Sequence, residues 1–109
     1  MKGPKGQMGQ LLKQAQKMQA ELARAQEEIV TMEAEGSSGG GTVTARVNGR
    51  MELLSLKIDP QAVDPDDVQM LEDLVMAAVN QAIKEVKARS KERMAQVAGP
   101  MDGMMGMGM

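Results

Sequence analysis

Between Gly41 and Pro60 the chain reads GTVTARVNGRMELLSLKIDP, and this stretch constrains the fold more than any other. Val43, Ala45 and Val47 alternate with Thr42, Thr44 and Arg46, which gives a strand one apolar and one polar face. Asn48-Gly49 follows, a pair suited to the positive φ angles of a type I′ hairpin turn. On the return limb Met51 and Leu53 share one parity, while Leu54, Leu56 and Ile58 share the other. A β-bulge or a break near Leu53 accounts for the switch, since one extra residue turns the following side chains over. The limb therefore counts as one strand or two short ones, closed by Asp59-Pro60 because proline cannot donate to a continuing ladder.

Long helical patterns flank this stretch. Met8, Leu11, Ala15, Met18, Leu22, Ala25, Ile29 and Met32 recur at spacings of 3 and 4, a strict heptad seam. The spacing predicts a helix from about Met8 to Glu35, roughly 40 Å long at 1.5 Å per residue. Gly36 is its expected stop, and SSGGG a flexible link into the first strand. Residues 1–7, with Lys2 and Lys5 among Gly and Pro, read as a loose basic arm. After the hairpin, Asp59-Pro60 opens a short turn, and Asp64-Pro65 is the expected start of the last helix. Val68, Leu71, Val75, Val79, Ala82 and Val86, widened by Leu74, Ala78 and Ile83, form its apolar face. The pattern stops at Gly99-Pro100, and residues 99–109, rich in Met and Gly, have no periodicity and read as disordered. The expected class is α+β: a long helix, a short antiparallel sheet of two to three strands, and a second long helix, in one domain over residues 8–98.

Composition narrows the function. There is no Cys, His, Phe, Trp or Tyr among the 109 residues. That leaves no disulfide, no thiolate or imidazole metal site, and neither a thiol nucleophile nor the commonest acid–base catalyst. Asp59, Asp64, Asp66 and Asp67 lack the spacing of a calcium loop and suit helix caps better. Gly39-Gly40-Gly41 lacks the Lys-Ser/Thr of a phosphate loop. No catalytic constellation is present, and neither a cofactor, a metal nor a small-molecule substrate is expected. No apolar run approaches a membrane span, and MKGPKGQMGQ lacks the apolar centre of a signal peptide; a cytoplasmic protein is the expectation.

Charge is distributed unevenly although its sum is −2. Lys2, Lys5, Lys13 and Lys17 stand in residues 1–20 without an acid, and Glu21, Glu27, Glu28, Glu33 and Glu35 follow against Arg24. The last helix opens with Asp66, Asp67, Glu72 and Asp73 and closes with Lys84, Lys87, Arg89, Lys91 and Arg93. Dipole complementation explains the last helix without any ligand, but the first helix runs against it. If both helices run antiparallel from a common sheet, their basic ends share one pole. Lys13 and Lys17 lie off the heptad seam and are free to touch another molecule. The short sheet leaves edges that invite pairing, and the narrow seam wants more cover than one helix gives. Both point to a two-fold homodimer, with Val43, Ala45, Val47, Leu54, Leu56 and Ile58 as the expected interface.

The order LLKQAQKMQAELARAQEEI, Gly-rich link, VNG, KIDP and MLEDLVMAAVNQAIKE resembles the YbaB/EbfC family of bacterial nucleoid-associated proteins over about residues 8–98. The resemblance implies an α–β–α fold, a tweezer-like homodimer and duplex DNA as the partner, in the nucleoid. The basic helix tips of such proteins correspond here to Lys13 and Lys17 and to Lys84, Lys87, Arg89, Lys91 and Arg93, and together with Lys2 and Lys5 of the N-terminal arm these are the expected DNA contacts. The alternative from another class is a dimeric helical adaptor or chaperone-like module that grips protein.

Overall fold

The computed structural model describes residues 3–97. Helix α1 spans Gly3–Thr31, strands β1, β2 and β3 span Glu33–Ser38, Val43–Asn48 and Leu53–Ile58, and helix α2 spans Val68–Val97. The strands form one antiparallel sheet in the order β1-β2-β3. Helix α2 crosses one face over β1 and β2, and α1 packs against α2. The result is a rod with extents of 83 × 30 × 16 Å. The expectations for Lys2, for the side chain of Lys5 and for the Met/Gly tail lie outside the described residues.

The expected α–β–α order holds, but the boundary between α1 and the sheet is earlier than expected. Helix α1 stops at Thr31, and the segment assigned to its last turn and to a flexible link is strand β1. Glu33 and Glu35 face outward while Ala34 and Gly36 are buried, the period of two that marks a half-buried strand. Small size is what makes β1 possible. A β-carbon on Gly36 would collide with the Ala78 carbonyl and the Ala82 amide, so glycine lets α2 lie directly on the strand. Ser37 donates its amide to Gln81 Oε1 at 2.7 Å, and Ser38 Oγ bonds the Leu74 carbonyl at 2.5 Å. The three glycines that follow are a tight β1–β2 turn, with φ of +59°, +68° and +95°, rather than a loose link. At its other end α1 begins at Gly3 instead of Met8; Pro4 sits in the first turn, where no helical donor is lost.

The β2–β3 turn also differs from the expected type I′. The Asn48 amide donates to the Glu52 carbonyl at 3.0 Å and closes a three-residue loop of Gly49, Arg50 and Met51, in which Met51 takes the left-handed conformation with φ +65°. Asn48 organises it: its Oδ1 accepts from the Arg50 and Glu52 amides at 2.9 and 3.0 Å, and its Nδ2 donates to Glu52 Oε1 at 2.7 Å. Gly49 has a different task. Its amide donates to the Met32 carbonyl at 3.0 Å, and a β-carbon there would strike the Ile29 carbonyl, so the hairpin tip docks on the end of α1. The expected bulge is present: Arg46 pairs with Ser55 and Val47 with Leu53, leaving Leu54 as the extra residue of a single strand β3.

The core lies between α2 and the sheet. Ala34, Val43, Ala45 and Val47 meet Ala78, Ala82 and Val86, with Leu71, Leu74, Val75, Val79 and Ile83 at its margin. Among the described residues only Val43, Val47 and Val86 are large and fully buried, each contributing about 1.5–3 kcal/mol of apolar burial. Val43, Ala45 and Val47 are therefore covered by their own α2 and cannot form the dimer interface expected of them. At the start of α2, Asp67 rather than Asp64 is the cap: its Oδ1 accepts from the Met70 amide at 3.2 Å, while Asp64 Oδ1 holds the preceding turn through the Asp66 amide at 2.9 Å. Asp59 caps the short turn at Pro60–Ala62 as expected.

Candidate nucleic-acid interface

The two helices meet end against end. Glu28 of α1 lies against Arg93 of α2, and Glu21 and Arg24 lie beside Gln96 and Val97. Earlier residues of α1 thus meet later residues of α2, so the pair is antiparallel. Helix α1 then runs on past Val97, and every residue from Gln7 to Ala20 is exposed. Met8 and Leu11 are 71% and 64% exposed. The heptad seam is split: Leu22, Ala25, Ile29 and Met32 are covered, and Met8, Leu11, Ala15 and Met18 are not.

This arrangement divides the cations of α2 by chemistry. Both arginines face the protein. Arg93 donates from Nε to Glu28 Oε2 at 2.6 Å and from Nη2 to Glu28 Oε1 at 3.4 Å, the forked geometry that guanidinium favours with carboxylate. The bond from Arg93 holds the Glu28 carboxyl below the usual carboxylate range. Arg89 donates from Nη1 to the Glu33 carbonyl at 2.9 Å and pairs through Nε with Glu85 at 3.3 Å. Arg89 and Arg93, both expected to contact DNA, thus fasten α2 to β1 and to α1. The acidic end of α1, which opposes its own dipole, is partly explained by this contact with the basic end of α2.

The lysines face away. Lys84, Lys87 and Lys91 recur at spacings of 3 and 4 on the side of α2 opposite Ala78, Ala82 and Val86, and all three are exposed. Lys13 and Lys17 are exposed on the free half of α1. Among the described residues none of these five makes an ion pair. They do not gather at one pole as expected. With Glu28 level with Arg93, Lys13 and Lys84 stand roughly 36 Å apart along the rod, and Lys17 and Lys91 roughly 20 Å. The exposed lysines are thus spread along the length of the molecule rather than gathered at one tip.

The second surface is β3. Ile58 lies opposite Val43, Leu56 opposite Ala45 and Leu53 opposite Val47, so these side chains extend the core face of the sheet. Helix α2 does not reach over them, and Leu53, Leu54, Leu56 and Ile58 are 37–49% exposed. β3 is also an unpaired edge. Of the expected interface residues, Leu54, Leu56 and Ile58 remain available. Among the described residues no acidic cluster could hold a metal ion, and no helix is long and apolar enough to cross a membrane.

The alternation Glu33-Ala34-Glu35-Gly36 is the signal in the sequence that would have disclosed β1, and with it the tether from Arg89 to Glu33. Nothing in the sequence separates the arginines of α2 from its lysines before the position of α1 is known.

Comparison with known proteins supplies the context. The model of the YbaB/EbfC DNA-binding family matches residues 4–101. A nucleoid-associated protein of Clostridium perfringens is 50% identical over 105 residues, covering 96% of this chain and 93% of its own. One from Saccharopolyspora erythraea is 50% identical over 107 residues, covering 96% and 92%. Among solved structures, an uncharacterized protein from Helicobacter pylori superposes with a TM-score of 0.60 at 30% identity, covering 80% of this chain and 88% of that one.

Proposed function

Because the chain belongs to the YbaB/EbfC DNA-binding family, we propose that it binds duplex DNA as a homodimer through its exposed lysines, with little sequence specificity. The observation that carries this reading is the outward set of Lys13, Lys17, Lys84, Lys87 and Lys91, exposed and without an ion pair among the described residues. Ammonium groups placed this way contact phosphates and release counterions, which gives affinity without reading bases. A chain without aromatic residues offers no stacking platform for single strands, so duplex is the better ligand.

The homodimer is supported by β3. Its open edge and apolar face continue a small core, and a two-fold copy laid on Leu54, Leu56 and Ile58 would extend both the sheet and the core. Two copies would double the exposed lysines on one body. Bound along a bacterial chromosome, such dimers would organise the nucleoid and modulate access to genes, in keeping with the names of the relatives. The protein-gripping adaptor is the second reading, favoured by the uncovered Met8–Met18 stripe of α1. A mobility-shift titration against unrelated duplexes tests the first reading. Similar affinity for all of them is the expected result, and no shift at low salt would leave the adaptor as the better account.

A further inference from the structure

On the free half of α1 the heptad seam continues without a partner among the described residues. Met8, Leu11, Leu12, Ala15 and Met18 share one face there and are all exposed. On the other half of the same seam, Leu22, Ala25, Ile29 and Met32 are buried or half-buried where α1 packs on α2. A helix is thus the element that already fits this seam. The open part has the relief to receive one. Met8, Leu11 and Leu12 line a shallow concavity, and residues at i, i+3 and i+4 are sides of the hole that a knob from a facing helix enters. The space over Gly9 beside them is empty.

We infer that a second copy supplies that helix: the free half of α1 packs on the same half of α1 in a neighbouring molecule. On the DNA-binding reading, on which this rests, the contact couples copies seated side by side on one duplex and makes binding cooperative.

Charge selects the occupant. Partner choice between paired helices is set at the positions that flank the seam. On the open half these are Gln7, Leu12, Gln14 and Gln19, none of them charged. The same register continues on the covered half with Glu21 and Glu28. Those acids would repel a copy of themselves, and Glu28 is matched instead by Arg93 of α2. The seam therefore changes its preference along its length: an acidic flank suits the basic end of α2, and a neutral flank suits a copy of itself. Neutral flanks offer nothing to attract a strongly acidic or basic foreign helix. Lys13 and Lys17 lie on the side opposite the stripe, so two stripes meet without bringing like charges together, and the lysines remain free for phosphates.

Size decides when the contact forms. Residues 7–20 make about 20 Å of helix, and a pair of such segments falls well short of the roughly 1,600 Å² of a standard stable interface. Copies free in solution are not held by it. Copies confined to one duplex are, because confinement raises the effective concentration of one stripe at the next.

Binding to two duplexes tests this. One is of about 25 base pairs, the length of a single 83 Å molecule at about 3.4 Å per pair, and the other is several times longer. Wild type should give a single-site curve on the short duplex and a steeper, sigmoidal curve on the long one. Leu11→Gln with Met18→Gln keeps both lysines and introduces good helix formers. It should match wild type on the short duplex and lose the sigmoidal shape on the long one. A cross-link reports the contact itself. The chain has no cysteine, so Ala15→Cys, at the centre of the stripe, gives each chain one thiol that a short bismaleimide can join only to another copy. Cross-linking on the long duplex should fall several-fold when Leu11→Gln and Met18→Gln are added. Unchanged steepness in the double variant would overturn the inference, even with cross-links, since the contact would then lie within one dimer. Absence of Ala15→Cys cross-links would overturn it too and leave the stripe to a different protein. Failure of wild type to bind the short duplex would instead refute the DNA-binding reading, and the cooperative step with it.

Discussion

Two single residues decide how the helices are fixed. At Gly36 the backbone of β1 meets the backbone of α2, and there is no room for a methyl group. Gly36→Ala must push α2 away from the strand, and overpacking of this kind costs about 1–3 kcal/mol. Urea denaturation should show that loss as a lower midpoint with an unchanged slope; an unchanged midpoint would mean that α2 does not rest on β1. Arg93 joins α2 to α1 through Glu28, and the direction of the Glu28 shift gives a test by pH. A carboxyl held below its unfolded value contributes stability above the unfolded pKa, and loses it as pH falls through the folded pKa. Arg93→Gln should therefore melt lower than wild type near neutrality, and the two melting curves should converge in acid, below the usual carboxylate range. Parallel curves at all pH values would show that the ion pair does not contribute. Neither residue's role was legible beforehand. A glycine after a heptad looks like a helix stop, and an arginine near a helix end looks like a surface cation, until the partner element is in place.

At the scale of elements, patterns with a strong period were legible and those built on small residues were not. The heptad of α1, the alternation of Val43, Ala45 and Val47, and the parity switch at Leu54 all correspond to structure. β1 was hidden because its inward residues are Ala34 and Gly36, whose contribution is close approach rather than apolar bulk. The faces of the sheet were legible, but not which of their residues α2 covers. This matters for assembly. Leu56→Lys lies on the open part of the face and should dissociate the proposed dimer while leaving helix content intact, as sedimentation and circular dichroism together would report. Val47→Ala, beneath α2, should instead lower stability by about 2 kcal/mol without an equivalent effect on association. If Leu56→Lys remains fully dimeric at micromolar concentration, β3 is not the joining surface.

For the whole molecule the charge pattern of the sequence was legible as an asymmetry but not as a shape. It pointed to a single basic pole, whereas the antiparallel offset of α1 and α2 spreads the lysines along the molecule and engages Arg89 and Arg93 in bonds to β1 and α1. The family match and the exposed lysines support the same reading, a backbone-gripping DNA-binding protein. Its most direct test is a mobility-shift series over salt concentration, using unrelated duplexes, with wild type, Lys13→Glu with Lys17→Glu, and Lys87→Glu with Lys91→Glu. For about six phosphates contacted, the wild-type log–log slope should be roughly −5. Both double variants should bind more weakly and with shallower slopes on every sequence, whereas Glu27→Lys, which leaves the Glu28–Arg93 pair intact, should not weaken binding. If both lysine variants bind duplex as tightly as wild type with the same slope, these lysines do not contact DNA.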